Sequence, residues 1–144
     1  MKKSAFTLIE LIIVLGIISI GSAIAILRFN VVDKIGARNE IQTFVDDYSY
    51  LRDLSLSTGS ENHMTFIDDY YITRGNIEKV RELHHIKSLN TEEITFKPNG
   101  SVNTKNEKEA YNLVFVSKKD SEVRWYFTIY AVGGYLEEKN KEGL

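Results

Sequence analysis

The chain of 144 residues contains no cysteine. Disulfides, thiolate metal ligands and cysteine nucleophiles are therefore excluded, and so is the acylated cysteine of a lipoprotein. A domain of this size can still build a modest hydrophobic core without covalent or metal support. Any globular part of this protein must consequently be stabilised by packing, hydrogen bonds and ion pairs alone.

Proline is nearly absent, and the single one, Pro98, lies in the second half of the chain. Because no proline interrupts Phe6 to Thr58, we predict one helix of about 50 residues, ended by Gly59-Ser60. Gly36 is the predicted soft point of this helix. Its second half carries an apolar stripe at spacings of three and four, which predicts that a C-terminal sheet covers it: Val31, Val32, Ile35, Ile41, Phe44, Val45, Tyr48, Leu51 and Leu54.

An excess of basic residues is also lacking, since the formal net charge is −2. A nucleic-acid-binding domain usually shows a basic footprint, so binding to nucleic acid is not expected. No nucleophile elbow and no glycine-rich phosphate loop occurs. The sequence therefore predicts no catalytic residues, no cofactor and no enzyme.

Candidate metal ligands are few and badly placed. His84 and His85 are neighbours and would diverge in space, so we expect them, like His63, to be exposed to solvent rather than to bind a metal. No calcium-loop spacing occurs. The acidic doublets are predicted to be solvated turns: Asp46-Asp47, Asp68-Asp69, Glu92-Glu93 and Glu137-Glu138.

What the chain does have is an apolar run from Phe6 to Leu27, preceded by Lys2 and Lys3. As a helix with a rise of about 1.5 Å per residue it would span about 33 Å, enough to cross the hydrocarbon core of a membrane. The basic start predicts a cytoplasmic N-terminus. Small residues along the run would let another helix approach closely: Gly16, Ser19, Gly21, Ser22, Ala23 and Ala25.

One charge, Glu10, interrupts the run near its start. A carboxylate inside a membrane is unfavourable by roughly 2.5–3.5 kcal/mol on insertion scales, so a partner for it is expected. Two processing fates remain open. A signal peptidase could cut after Ala25 and release a secreted domain that begins at Ile26, or cleavage between Ala5 and Phe6 could leave the whole helix on the mature protein.

The segment from Lys2 through the apolar run resembles the prepilin leader of type IV pilins and pseudopilins. The resemblance covers about 25 residues and implies that prepilin peptidase cuts between Ala5 and Phe6 and methylates the new amine of Phe6. It also implies that Glu10 is the assembly glutamate, which pairs with the amine of a neighbouring subunit in a filament. Ala5 departs from the pattern, because the family usually has glycine there.

Past the helix, the pattern predicts antiparallel strands. A hairpin is expected from His63–Ile67 and Tyr70–Thr73, and strands from Ile94–Lys97, Tyr111–Val116 and Val123–Ala131. Asn76–Leu89 favours strand over helix, whereas Lys105–Glu109 and Lys118–Glu122 are predicted to be loops. The expected fold is α+β, a long N-terminal helix packed on a C-terminal antiparallel sheet, and this is the type IV pilin-like fold that the leader implies.

The predicted organisation is a leader at 1–5, a transmembrane and assembly helix at 6–28, its amphipathic continuation at 29–58 and a β-rich part at 59–144. Ile94 to Gly100, two long strands and Gly133-Gly134 resemble the minor pseudopilins of the GspH/FimT group. DNA-uptake members of that group use C-terminal arginines, where this chain has Glu137-Glu138, so DNA binding is not carried over.

The resemblance implies a minor pilin or pseudopilin of a type IV pilus, a type II secretion system or a competence machine. Its partners would be prepilin peptidase, other pilin or pseudopilin subunits and the membrane assembly platform. Two alternatives stay open from the residues. One is a membrane-tethered extracellular binding domain that never polymerises, and the other is a secreted enzyme released after Ala25.

Overall fold

The computed structural model describes residues 7–104 and 110–139, without the side chains of 23–31 and 104. The chain forms two compact units, and the boundary between them falls between Ile35 and Gly36.

The first element is the helix α1, Leu8–Thr58. It begins after Thr7, and it ends where Gly59 adopts the left-handed conformation with φ 66°. The Gly59 N–H donates to the Ser55 carbonyl at 3.0 Å, which satisfies one of the last carbonyls of the helix. Glycine is favoured there because a side chain would be strained at this φ.

The rest of the described chain forms nine strands in two antiparallel sheets. The five-stranded sheet has the order β3-β2-β1-β5-β6, and the four-stranded sheet has the order β4-β7-β8-β9. The strands are β1 (Asn62–Ile67), β2 (Tyr70–Arg74), β3 (Glu78–Glu82), β4 (Ile86–Ser88), β5 (Glu93–Phe96), β6 (Val102–Thr104), β7 (Ala110–Ser117), β8 (Arg124–Tyr130) and β9 (Leu136–Lys139).

The core of the second unit lies around Phe44 of α1, which is fully buried. Its ring meets Phe66 of β1 at 5.7 Å between centroids, Phe115 of β7 at 4.9 Å and Phe127 of β8 at 5.3 Å. One helical side chain therefore contacts both sheets. Edge-to-face and tilted rings at these distances are favourable arrangements of aromatic side chains.

The structure confirms the predicted α+β fold, which is consistent with that of type IV pilins. The hairpin is confirmed too, with Ile67 opposite Tyr70, and the region 76–89 contains the strands β3 and β4 rather than a helix. The strands divide into two sheets, a division that the sequence pattern did not predict. The predicted loop Lys105–Glu109 lies outside the described residues.

The apolar stripe of α1 is covered over only part of its predicted length. Ile41, Tyr48 and Leu51 are buried as expected, but Val32 is 60% exposed and Ile35 is 55% exposed. The prediction that the sheet covers these two residues was therefore wrong, because the buried face begins only at Ala37.

Candidate processing and assembly site

The start of α1 is a capping box formed by Thr7 and Glu10. The Glu10 Oε2 accepts hydrogen bonds from the Thr7 N–H and the Thr7 hydroxyl, both at 2.9 Å. The Thr7 Oγ1 in turn accepts from the Glu10 N–H at 3.3 Å. This reciprocal pattern satisfies backbone donors that the first helical turn would otherwise leave open. A negative charge near the N-terminus of a helix is also favoured by the helix dipole.

The capping box supplies hydrogen-bond donors for one oxygen of the Glu10 carboxylate. The expected partner of Glu10 was the amine of another subunit, but within the chain Thr7 already binds one carboxylate oxygen. The sequence carried the signal, because Thr7-Leu8-Ile9-Glu10 has the spacing of a capping box. The interpretation of this run as a membrane segment did not include a helix cap at its start.

After this cap the helix presents apolar side chains in every direction. Every residue from Thr7 to Ser22 is exposed, including Leu8 at 77% and Ile20 at 66%. The hydroxyls of Ser19 and Ser22 donate to the carbonyls of Leu15 and Ile18, at 2.7 and 2.8 Å. The polar groups of this segment are thus satisfied within the helix, as an apolar environment requires.

Two glycines leave gaps in this surface. A Cβ atom added at Gly16 or at Gly21 would meet no other atom within 4 Å. Small residues on an apolar helix allow a second helix to approach its backbone closely. The segment can therefore present both a charge and close-approach positions to neighbouring helices.

The predicted cleavage site between Ala5 and Phe6, with the N-methylation of Phe6, lies outside the described residues. The expected transmembrane segment, 6–28, falls partly outside them as well. In the part of the chain that the structure describes, no helix is both long enough and apolar enough to span a membrane.

In the second unit, Glu40 of α1 holds the segment that leads into β4. Its carboxylate accepts backbone hydrogen bonds from the N–H groups of His84 at 2.8 Å, His85 at 3.0 and 3.1 Å and Ile86 at 3.1 Å. One turn earlier, a Cβ atom at Gly36 would lie only 2.4 Å from the His85 ring. Gly36 is therefore a position of close approach, a role that its prediction as a soft point did not include.

A second tie joins α1 to the five-stranded sheet through Asp47. Its Oδ2 accepts hydrogen bonds from the Tyr71 hydroxyl at 2.8 Å and the Arg81 Nε at 2.9 Å. Burial raises the pKa of Tyr71 well above its usual value, and the Asp47 carboxylate adds to the rise. The hydrogen bond to Asp47 raises the pKa of Arg81 as well. The prediction that the Asp46-Asp47 doublet is solvated was therefore wrong for Asp47, whose side chain is only 14% exposed.

A third tie lies near the C-terminal end of α1. The Tyr48 hydroxyl donates to the Gly134 carbonyl at 3.1 Å, and the Arg52 Nε donates to the Gly133 carbonyl at 2.8 Å. The Arg52 guanidinium also lies over the Tyr135 ring, 5.0 Å from its centroid. These contacts place Gly133-Gly134 against the helix, so this turn has a packing role.

The histidines are not gathered into a metal site among the described residues. The His84 side chain is 71% exposed, as predicted. His63 and His85 are half-buried, which corrects the expectation for both. His63 Nδ1 lies 3.1 Å from the Thr95 hydroxyl, and the His85 ring packs over Gly36.

Comparison with known proteins identifies the class of the N-terminal segment. Residues 1–26 match the family described as prokaryotic N-terminal methylation motif. This is the prepilin cleavage motif of type IV pilins and pseudopilins, whose members are structural rather than enzymatic and are anchored in the membrane through this segment. No curated protein matches the chain. No solved structure matches it either.

Proposed function

We propose that this protein is a minor pilin or pseudopilin, a structural subunit of a filament of the type IV pilus kind. Prepilin peptidase cuts it between Ala5 and Phe6 and methylates Phe6. The apolar helix first holds the subunit in the cytoplasmic membrane with its N-terminus inside, and then enters the helical bundle of a pilus or pseudopilus. The β-rich unit is displayed outside the membrane, and the protein has no enzymatic role.

The main support for this proposal is the environment of Glu10, which lies among the residues that match the methylation motif. Its Oε2 is bound to Thr7, while Glu10 lies in the segment from Thr7 to Ser22, in which every residue is exposed. A carboxylate accepts several hydrogen bonds, so Glu10 retains capacity to pair with the amine of a neighbouring subunit's Phe6. Opposite charges attract strongly in a low-dielectric environment, and such a pair is best suited to fixing the register of subunits.

The capping box also supports one alternative from a different class. Because Thr7 satisfies Glu10 within the chain, a membrane-tethered binding domain that never polymerises would need no partner for this charge. The mature N-terminus separates the two proposals. A methylated Phe6 found by mass spectrometry supports the filament subunit, whereas an intact Met1 supports the tether.

The decisive experiment compares two substitutions at Glu10. Glu10→Leu removes both the cap and the charge, whereas Glu10→Gln keeps an acceptor for Thr7 but removes the charge. We expect both variants to insert into the membrane and to be cleaved, and both to enter filaments at less than about a tenth of the wild-type level, a loss of roughly 1.4 kcal/mol or more per subunit contact. Incorporation is measured by immunoblotting of sheared filaments.

The two variants also exclude a purely local role. If Glu10→Gln enters filaments normally while Glu10→Leu does not, Glu10 acts as a helix cap and not as the charged partner of another subunit. Normal incorporation of both variants would refute the assembly role altogether. Thr7→Ser is the matched control, because serine keeps the capping hydroxyl and should leave incorporation unchanged.

A further inference from the structure

The strand β3 forms one edge of the five-stranded sheet, and no strand in the described ranges pairs with its outer side. Its residues are largely exposed, with Val80 at 57%. An exposed edge offers unpaired backbone groups to any extended chain that approaches it.

The hydrogen bonds of β3 alternate along the strand. The Leu83 N–H donates to the Asp69 carbonyl at 2.7 Å, and this pair continues the register of β2 and β3. Since bonded and non-bonded pairs alternate in an antiparallel ladder, Lys79 and Arg81 are the residues of β3 that bond to β2. The others direct their N–H and C=O groups away from the sheet: Glu78, Val80 and Glu82.

The charges of β3 read the same in both directions, Glu78-Lys79-Val80-Arg81-Glu82. If a second copy added its own β3 antiparallel and centred on Val80, Glu78 would face Glu82 and Lys79 would face Arg81. Registers shifted by two residues would place Lys79 or Arg81 opposite its own copy. Like charges directly opposite each other are destabilising. The edge therefore disfavours a second copy of this chain.

A surface hollow lies beside the same edge, on the helix side of the sheet. Tyr50 and Ile77 are 52% and 71% exposed at its rim, and the Lys79 Nζ lies 5.7 Å from the centroid of the Tyr50 ring. The hollow is open to solvent and is lined by Asp47, Tyr50, Leu51, Thr73, Ile77 and Lys79. A side chain opposite Lys79 on an added strand would reach this rim. Strand addition commonly combines backbone bonds with such side-chain pockets.

We propose that the β3 edge binds an extended segment of a different filament subunit by strand addition. The segment carries charges in the order basic, acidic, apolar, acidic, basic, which places an opposite charge against each charged residue of β3. Because the pattern is palindromic, the same order fits a parallel or an antiparallel partner. The identity of the partner as a filament subunit rests on the proposed function, whereas the charge order rests on β3 itself.

The test uses the full chain in detergent micelles and a capped peptide, Thr-Thr-Lys-Glu-Val-Glu-Lys-Thr-Thr. The control peptide, Thr-Thr-Glu-Lys-Val-Lys-Glu-Thr-Thr, has the same composition with the charges exchanged. Amide hydrogen exchange is followed by NMR. At a peptide concentration about ten times its Kd, we expect exchange at Glu78, Val80 and Glu82 to slow about tenfold, since bound amides are protected in proportion to occupancy. Lys79 and Arg81 should change little, and the control peptide should have no effect.

Two variants test the edge and the charge order separately. Val80→Pro removes one outward N–H, and an edge strand tolerates proline where that N–H faces solvent. We expect it to fold, with unchanged amide dispersion, and to weaken binding of the complementary peptide at least fivefold. The double variant Lys79→Glu/Glu82→Lys keeps the composition but makes positions 78 and 82, and 79 and 81, opposite in charge. It should lose binding of the complementary peptide and self-associate through β3, and adding Val80→Pro should abolish that association.

Equal protection by both peptides, or protection by neither, would overturn the proposal, as would a double variant that stays unassociated. These results are independent of the proposed filament role, because no filament is present in the experiment. Glu10→Leu should bind the complementary peptide as the wild type does. If the mature protein keeps an intact Met1 while the peptide results hold, the proposed function fails and the binding edge stands.

Discussion

The two ends of α1 belong to one helix, but they differ in the burial of their side chains. Every residue from Thr7 to Ser22 is exposed. The side chains of Glu10, Ser19 and Ser22 form hydrogen bonds within this same segment. Between Ala37 and Ser55, the inward face is buried. There Glu40, Asp47 and Tyr48 also bond to segments far away in the sequence.

This difference separates the energetics of the two ends. The C-terminal part of α1 is stabilised within the chain by burial of apolar and aromatic side chains. The N-terminal part leaves its apolar area uncovered in the described structure, so burial of its side chains contributes little to the stability of the fold. Substitutions in one end should therefore change the stability of the fold, and substitutions in the other should change assembly.

The largest expected effect that tests this comparison is that of Phe44→Ala. Phe44 is fully buried and contacts rings from both sheets. Removing a buried phenylalanine side chain typically lowers the free energy of unfolding by about 3–5 kcal/mol. Denaturant unfolding followed by tryptophan fluorescence should show this loss, because the single tryptophan, Trp125, packs against the core.

The matched control is Leu15→Ala at the exposed end, where Leu15 is 54% exposed. It should leave the unfolding free energy of the β-rich unit within about 0.5 kcal/mol of the wild type. A destabilisation by Leu15→Ala as large as that by Phe44→Ala would contradict the division of α1 into two parts.

The hydrophobic periodicity of the sequence predicted which face of the C-terminal part of α1 is buried. The spacing of Ile41, Phe44, Tyr48 and Leu51 marked the inward face, because burial on a helix repeats every three to four residues. The same stripe wrongly included Val32 and Ile35. A periodic pattern reports which face is apolar, but not where along the helix the covering sheet begins.

The polar ties could not be predicted in the same way. Glu40 accepts from the segment 84–86, and Asp47 bonds to Tyr71 and Arg81. Such contacts join residues that are far apart in the sequence and meet only in the folded chain. No local sequence motif predicts them. The Thr7–Glu10 cap was different, since its partners are three residues apart and a local motif specifies them.

The buried phenols of the second unit predict an intermediate effect of pH. Burial raises the pKa of Tyr48, that of Tyr111 and, with the help of Asp47, that of Tyr71. In the unfolded chain these tyrosines ionise near pH 10, whereas the folded state keeps them neutral. The unfolded state is then favoured as the pH rises above about 10, so this contribution to stability is complete below that pH and is lost above it.

We expect the free energy of unfolding to fall by roughly 1 kcal/mol for each of the three phenols between about pH 10 and pH 11. Chemical denaturation at several pH values measures the slope. Tyr71→Phe should reduce the slope by about a third, even though it also removes a hydrogen bond at all pH values. An unchanged slope in Tyr71→Phe would show that this phenol does not remain neutral in the folded protein.

The smallest expected effect compares two glycines of the same helix. At Gly36 an added Cβ atom would lie 2.4 Å from the His85 ring, whereas at Gly16 it would meet nothing within 4 Å. Alanine is favoured over glycine within a helix by about 0.5–1 kcal/mol. At Gly36 this gain is offset because the His85 ring must move away from the helix.

A double-mutant cycle isolates that offset. Gly36→Ala should change the unfolding free energy little in the wild type but raise it by about 0.5–1 kcal/mol in a His85→Ala background, so the two sites are coupled. Gly16→Ala should show no coupling to His85→Ala by denaturant unfolding. If Gly36→Ala is equally stabilising in both backgrounds, His85 does not restrict this position. If Gly16→Ala lowers incorporation into filaments without changing unfolding, the gap at Gly16 serves the approach of another helix, as the proposed function expects.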